Sequence, residues 1–500
     1  MARYVLSHRR AGKANKAERL KSRTAMANVL PSFMAGVNVV LDNVPRDETA
    51  RRVVVFEAEP HEITPHIETL HPDVIVEPEI LHYRHAHSHG VAPRLKRPKH
   101  RAKQKEKTKK LCVTVGNGKK PLPNAEITLL LCDCGTVGSE QGLTNKQGQA
   151  CISYADSLDL AALGAIPAGG FWSMVEYGAT SPATLVCPPL PKAKKRLGWW
   201  HHRLGIKHYH EKRGAGIRVA VIDTGIGPHP YLEHVHDSGA YIDHRWYPNK
   251  GADVSNHGTY VSGIIGARPT SPHAFAGVAP GVDLFSARIY NPPGTVTTQG
   301  DIANAIDDLS GNDQVDLINL SLGAAEASTI VQDAIQDARD QGTLCICSAG
   351  NTSGPVSYPA AFPETVAVSA LGVFGWGPVG STTAYRVPAA LDRFGCDQFY
   401  LANFSAFGKA VDCAAPGVGV ISTVPARFGL TAPYLAMDGT SAASPAVCGL
   451  LAAILSNRDD YKSLPRDETR AALARQILEQ SCQSVGLQPQ YEGLGMPRLS

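Results

Sequence analysis

Ile217-Arg-Val-Ala-Val-Ile222 is an apolar, β-branched run that stops on Asp223-Thr-Gly-Ile-Gly227. A run of this kind reads as a buried parallel strand, because only a strand covered on both faces is apolar along its length. A carboxylate at its carboxyl end lies where open α/β sheets build their sites. Three later stretches complete a set. Asn256-His-Gly-Thr-Tyr-Val-Ser-Gly263 starts a helix of small and apolar residues at His257, with Gly258 and Gly263 permitting close packing. Ser348-Ala-Gly-Asn351 follows a second apolar run, Leu344 to Cys347. Gly439-Thr-Ser-Ala-Ala-Ser-Pro445 sets Ser441 among small residues ahead of the apolar Val447 to Leu455. A serine hydroxyl is a weak nucleophile until a base takes its proton and donors meet the oxyanion it creates. His257 is the candidate base and Asp223 its orienter. The Asn351 side-chain amide is a neutral donor, to act with the Ser441 backbone N–H.

These four motifs, in the order Asp, His, Asn, Ser, resemble the subtilisin family of serine endopeptidases. The order Asp, His, Ser is that of subtilisin. The resemblance covers roughly Gly198 to Arg498, including the turns Ala276-Gly-Val-Ala-Pro280 and Ala414-Ala-Pro-Gly417 and the closing Tyr491-Glu-Gly-Leu-Gly495. It implies an α/β fold, a parallel sheet flanked by helices, with Asp223, His257, Ser441 and Asn351 catalytic. It also implies that Ser321, Leu322 and Gly323, in Ile318-Asn-Leu-Ser-Leu-Gly323, bind peptide by strand addition, with Gly323 leaving room for the side chain before the cut. Ser348, Ala349 and Gly350 are further substrate-binding positions. Matching places Thr352 and Ser357 near the primary pocket. Neither is charged, which favours uncharged, apolar or mid-sized side chains there.

Five hundred residues exceed one core, so two to four domains are expected. No apolar run reaches the length of a membrane span. No secretory signal follows Met1-Ala-Arg-Tyr-Val-Leu-Ser-His-Arg-Arg10, so the chain is expected in the cytoplasm unless a dedicated system exports it. The 11 cysteines are an odd count, which without a signal argues for free thiols in a reducing compartment. Cys132/Cys134 and Cys345/Cys347 are C-x-C pairs on expected strands. A metal held by them is the minor alternative to buried small side chains.

Residues 1–84 alternate strand and helix signals. Strands are expected at Tyr4 to Leu6, Val37 to Leu41, Arg51 to Phe56 and Asp73 to Val76, continuing through Glu77 to Ile80. Helices are expected at Asn15 to Leu30 and Ile63 to Leu70. That is the β-α-β-β-α-β order of a small ferredoxin-like α+β unit. Ahead of a subtilisin-like domain it resembles the family's propeptide, a folding aid and inhibitor. The resemblance implies that Glu79 to Arg84 lies in the active site, with self-cleavage near Tyr83 to Ala86. An unrelated small α+β domain is the alternative. Residues 85–110 hold His85, His87 and His89, beside His82, and ten Lys or Arg with one Glu between Arg94 and Lys110. Such a block repels itself and stays extended. Without interleaved aromatics, a linker is favoured over nucleic-acid attachment, and a solvated tract over a metal site. Residues 111–191 carry short strands separated by turn chemistry, such as Gly116-Asn-Gly118, as in a β-sandwich. Pro121 to Ile127 and Thr144 to Gln149 resemble immunoglobulin-like modules related to the carboxypeptidase regulatory domain, which bind protein partners or act as spacers. Residues 192–500 are the expected catalytic domain.

Two stretches depart from the family. Many subtilisins bind calcium in the loop after the histidine helix, but Ala267 to Gly277 holds neither Asn nor an acidic residue and has two prolines. A hard cation wants several oxygen ligands, so no cofactor and no metal are expected there. Phe374 to Tyr400 is a long connection, expected to shape the leaving-group side of the cleft. Three functions compete: an endopeptidase acting on protein or peptide and made as a self-inhibited precursor; a protease held latent by its propeptide until a partner binds; and a silent binding scaffold. The complete Asp/His/Asn/Ser set argues against the last.

Overall fold

The structure is a computed structural model that describes residues 2–10, 38–42, 51–59, 74–85, 107–133 and 136–499. The two helices expected before Leu70, most of the basic run, His87, His89 and Cys134 lie outside the described residues.

The first four strands are β1 (Ala2–His8), β2 (Asn38–Asp42), β3 (Val53–Ala58) and β4 (Val74–Pro78). They form an antiparallel sheet in the order β2-β3-β1-β4. β5 (Leu81–Arg84) leaves this sheet and pairs elsewhere. Two further sheets share one apolar core. The first holds β6 (Thr108–Gly116), β9 (Gln149–Ala155) and β12 (Ala183–Val186). The second holds β7 (Glu126–Asp133), β8 (Thr136–Leu143), β10 (Asp159–Ile166) and β11 (Met174–Tyr177). Period-two alternation turns Leu111, Val113 and Val115 inward from β6 onto Ile127, Leu129 and Leu131 of β7. β6 starts within the stretch expected to be linker.

Cys112 of β6 and Cys151 of β9 stand directly opposite one another and form a disulfide. This corrects the expectation of free thiols for that pair; the other eight described cysteines are free. The register of two antiparallel strands brought together residues 39 apart in sequence. Cys345 and Cys347 are buried in an apolar cluster, and burial pushes the Cys345 thiol up to about 12.

The remaining chain builds a nine-stranded sheet. Its strands are β13 (Arg218–Asp223), β14 (His236–Ile242), β15 (Arg245–Tyr247), β16 (Asp283–Arg288), β18 (Leu317–Leu320), β20 (Leu344–Ser348), β21 (Val366–Val373), β22 (Phe399–Leu401) and β23 (Cys413–Pro416). The short β17 (Val296–Thr298) and β19 (Leu322–Gly323) stand apart and flank β5. All neighbouring pairs from β14 through β16, β13, β18, β20 and β21 to β23 are parallel. β13 alternates between two cores: Val219 and Val221 pack on one side, Ala220 and Ile222 on the other. Helices α1 (His257–Gly266) and α4 (Thr440–Leu455) cover the first side. Helices α2 (Gln299–Gly311) and α3 (Thr329–Asp340) cover the second.

The N-terminal sheet docks on α2 and α3. Val5, Val53, Val55 and Ile75 join the same apolar cluster as Ala303, Ile306, Ile330 and Ala334. Arg51 is buried between the two helices, donating to Asp307 at 3.0 Å and Asp337 at 2.9 Å. Glu77 caps the start of α3, accepting from the Thr329 N–H at 2.9 Å and from the Ser328 hydroxyl. An acidic group there complements the positive end of the helix dipole.

Residues 374–400 are clamped between the two-sheet unit and the main sheet. The Val175 N–H donates to Gly380 O at 2.9 Å, and the Thr382 N–H to Ser173 O at 3.0 Å. Tyr177 meets Tyr385 edge-on at 5.3 Å, and Trp172 meets Trp376 at 5.7 Å. On the other side Thr383 and Arg386 donate to the buried Asp438 carboxylate at 3.0 and 3.1 Å. Asp438 stands three residues before Ser441.

Candidate active site

Asp223 ends β13 and His257 opens α1. Asp223 oxygens lie 2.8 and 2.9 Å from His257 Nδ1, and both residues are buried. A second carboxylate holds them in register. Asp253 Oδ1 accepts from the Thr224 hydroxyl and the Ser255 N–H, each at 2.8 Å. Its Oδ2 accepts from the Thr259 N–H at 3.1 Å and the Thr259 hydroxyl at 2.5 Å. Thr224 in turn accepts from the Gly258 N–H at 2.8 Å. The turn after the strand is thereby tied to the first turn of the histidine helix. Burial raises the Asp253 pKa, and these donors oppose the shift. The glycines allow the approach: a Cβ on Gly258 would lie 2.2 Å from Gly225 O, and one on Gly263 would lie 2.1 Å from Thr423 Oγ1.

Ser441 is the second residue of α4, where its N–H points out of the helix start. Pro445 has no N–H to give the Ser441 carbonyl, which accepts from Ser321 Oγ at 3.4 Å instead. Ser321 is also bonded by the Asn319 amide at 2.9 Å and lies 3.2 Å from Ser444 Oγ. Asn351 is oriented by Thr440, whose N–H and hydroxyl donate to Oδ1 at 3.0 and 2.9 Å. Its Nδ2 is left facing the carbonyl oxygen of His85, to which it donates at 2.6 Å. A Cβ on Gly439 would lie 2.8 Å from Ser441 Oγ, 2.9 Å from His85 O and 3.4 Å from Asn351 Nδ2, so these three atoms ring one point. His257 Nε2 is buried and has no hydrogen-bond partner among the described residues. The Asp–His contact is thus formed, and the His–Ser contact is open.

β5 runs into this centre between two edge strands. Val296, Thr297 and Thr298 of β17 pair with Tyr83, His82 and Leu81. On the other side Leu322 and Gly323 of β19 pair with Arg84 and Tyr83, and the His85 N–H donates to Ser321 O at 2.9 Å. The His85 ring enters a slot: Nδ1 lies 2.7 Å from Ser348 Oγ and Nε2 lies 3.2 Å from Ser357 Oγ. Ala349 and Gly350 form the wall through their backbones. Ala349 O accepts from the Ser357 N–H and hydroxyl, and Gly350 bonds Thr440 and Ala406.

Residues 214–493 match the family model described as the subtilase family. The chain belongs to that family. The minor extracellular protease Epr of Bacillus subtilis (strain 168) is 32% identical over 49% of this chain and 33% of its own length. The thermophilic serine proteinase of Bacillus sp. (strain AK1) is 33% identical over 49% of this chain and 53% of its own. Subtilisin Savinase of Lederbergia lenta is 30% identical over 50% of this chain and 80% of its own. The chain thus spans between a third and about half of the length of the first two subtilases.

Within the subtilase domain, sequence reasoning missed three contributors. Asp253 carries no motif around it. β17 is only three residues long, Val-Thr-Thr, with no apolar run to mark it. Gln299 holds the segment before β5, accepting from the Ile80 N–H at 2.9 Å and donating to Pro78 O at 2.7 Å. The loop after α1 departs from the calcium-holding loop of many subtilases. Its Pro269 and Thr270 carbonyls accept from the Arg196 guanidinium at 3.0 and 2.8 Å, so a side-chain cation already serves those oxygens.

Proposed function

We propose that this chain is a serine endopeptidase made as a self-inhibited precursor that cuts itself at the bond following His85. The observation that carries it is the backbone of residues 81–85. It is strand-paired on both sides and ends with a carbonyl oxygen on Asn351 Nδ2, beside Ser441 Oγ. A substrate about to be cut needs that arrangement.

The chemistry follows from the groups present. Ser441 Oγ turns toward His257 Nε2, gives up its proton and bonds to the carbonyl carbon. Asp223 fixes the tautomer with Nδ1 protonated and stabilises the imidazolium that forms. Asn351 stabilises the oxyanion. Collapse breaks the C–N bond, and His257 returns the proton to the leaving amine. Water then repeats the sequence on the acyl-serine.

In this reading residues 1–84, released with His85 at their end, are an inhibitory propeptide and 192–500 the catalytic domain. Residues 111–191 are an immunoglobulin-like β-sandwich that docks a protein partner. Arg51 and Glu77 hold the propeptide on α2 and α3 after cleavage. Their burial also supports the second reading, latency until a partner removes the sheet.

Purified wild type and Ser441→Ala are incubated alone, and their fragments are mapped by mass. A wild-type fragment ending at His85 and absent from the variant is expected. Intact wild type that still reacts at Ser441 with a fluorophosphonate supports latency. No reaction of either kind overturns the protease reading and leaves the scaffold.

A further inference from the structure

The His85 ring is held at both nitrogens. Ser357 Oγ–H donates to Ala349 O at 3.0 Å, so it meets Nε2 as an acceptor, and Nε2 carries the proton. Ser348 Oγ lies 2.7 Å from Nδ1 and 3.5 Å from Leu320 O, so its O–H donates to the unprotonated Nδ1. The two hydroxyls thus read the two nitrogens of a neutral imidazole, one donating and one accepting a hydrogen bond. The slot is also flat. A Cβ on Gly323 would come within 2.5 Å of the ring's Cε1 and Nε2, and within 2.5 Å of Ser357 Oγ. A benzene ring would present C–H edges to both hydroxyls. Ser348 would then fall back on the long contact to Leu320 O. A site built to hydrogen-bond a side chain discriminates against analogues that cannot answer, because its own polar groups lose their partner.

We infer that this site takes polypeptide with histidine immediately before the cut bond; this rests on the endopeptidase reading above. The expected occupant, uncharged and apolar or mid-sized, narrows under this inference to a neutral histidine. The same side chain recurs at His87 and His89, so the chain offers further sites just beyond the first.

The test uses the full chain and a set of quenched-fluorescent peptides, Ile-Leu-His-Tyr-Arg-X-Ala, with X as His, Phe, Leu or Lys. Labelling of Ser441 by a fluorophosphonate is measured in parallel. The His peptide is expected to exceed the Phe and Leu peptides in kcat/KM by about ten-fold or more, since two ring hydrogen bonds are at stake. Ser357→Ala and Ser348→Ala are each expected to lower that ratio several-fold, chiefly by slowing the His peptide. Phe or Leu cleaved as well as His overturns the inference and leaves the endopeptidase reading standing. Labelling with cleavage of the Phe or Leu peptide but not of the His peptide does the same. Absence of both labelling and cleavage overturns the two together.

Discussion

Arg51 is the side chain on which retention of the N-terminal sheet most depends. Its guanidinium is 1% exposed and spans Asp307 of α2 and Asp337 of α3 while also donating to His8 O at 3.3 Å. Removing one partner of a buried ion pair costs about 3–5 kcal/mol, because the remaining charge stays desolvated. Arg51→Ala takes this cation from Asp307 in a dry interface, while Asp337 keeps the Arg10 guanidinium at 2.6 Å. Each factor of ten in affinity is about 1.4 kcal/mol, so the processed fragment should bind between about a hundred-fold and a few thousand-fold more weakly. The apolar contacts of Val5, Val53, Val55 and Ile75 remain, so some binding survives. The assay uses the full chain with a C-terminal tag. After self-cleavage the mature part is captured, and the fragment's dissociation constant is read from recovery of peptidase activity on dilution. Arg51→Lys, which keeps the charge but cannot fork between two carboxylates, should fall between wild type and alanine. A change below about five-fold for Arg51→Ala would mean that the apolar face alone holds the sheet.

Asn351→Leu should lower kcat on a peptide by about 10²–10³-fold with little change in KM, because its amide serves the oxyanion. His82 is fully buried, and burial pushes its pKa from 6.5 down to about 4. The free fragment takes up a proton that the bound fragment refuses. Binding should therefore weaken as pH falls from about 6.5 to about 4, by up to about ten-fold per unit. Glu77, whose pKa burial raises, opposes this at the acid end. Fragment retention greater in mild acid than at neutrality would refute the sign. A chelator should leave the melting temperature of the wild type unchanged, whereas Arg196→Ala should lower it by freeing the loop carbonyls of residues 269 and 270. Calorimetry with and without calcium checks both. Arg386→Ala, by stranding the buried Asp438, should lower the melting temperature by several degrees and kcat along with it, whereas Thr383→Val should do less.

The parts of the site that could be read from sequence share a physical trait. Asp223, His257 and Ser441 each stand where a long apolar segment begins or ends, so strand and helix punctuation alone sets their positions. Gly258, Gly263 and Gly323 were legible because absence of a side chain matters only where something else comes close, and each meets a neighbour within 2.5 Å of where a Cβ would lie. Other features depend on register or on distant partners. β10 is Asp-Leu-Ala-Ala-Leu-Gly-Ala-Ile, rich in helix formers, and is a strand only because β7 and β11 flank it. β8 contains two glycines and little apolar surface. The Cys112–Cys151 bond needed the pairing of β6 with β9, which no local pattern fixes.

The long connection after β21 shows why such features matter for function. Its sequence announced only length, glycine, proline and aromatics. In place, it bonds β11 and its flanks through the backbones of Gly380 and Thr382, and Asp438 through the side chains of Thr383 and Arg386. Asp438 Oδ1 also accepts from the Gly419 N–H at 2.8 Å, and the Gly439 N–H donates to Gly417 O at 2.8 Å. The backbone that delivers Ser441 is therefore pinned from the same side on which the two-sheet unit rests. A force that shifts that unit can reach the nucleophile through this buried carboxylate. A buried carboxylate bonded by three groups has few alternative arrangements of low energy. Displacement of the unit should thus change kcat through Ser441 before it changes peptide affinity, since β17 and β19 lie on other elements. Severing the backbone between residues 187 and 197 while leaving both parts folded separates the cases. A fall in kcat at constant KM supports the coupling, and a rise in KM alone refutes it.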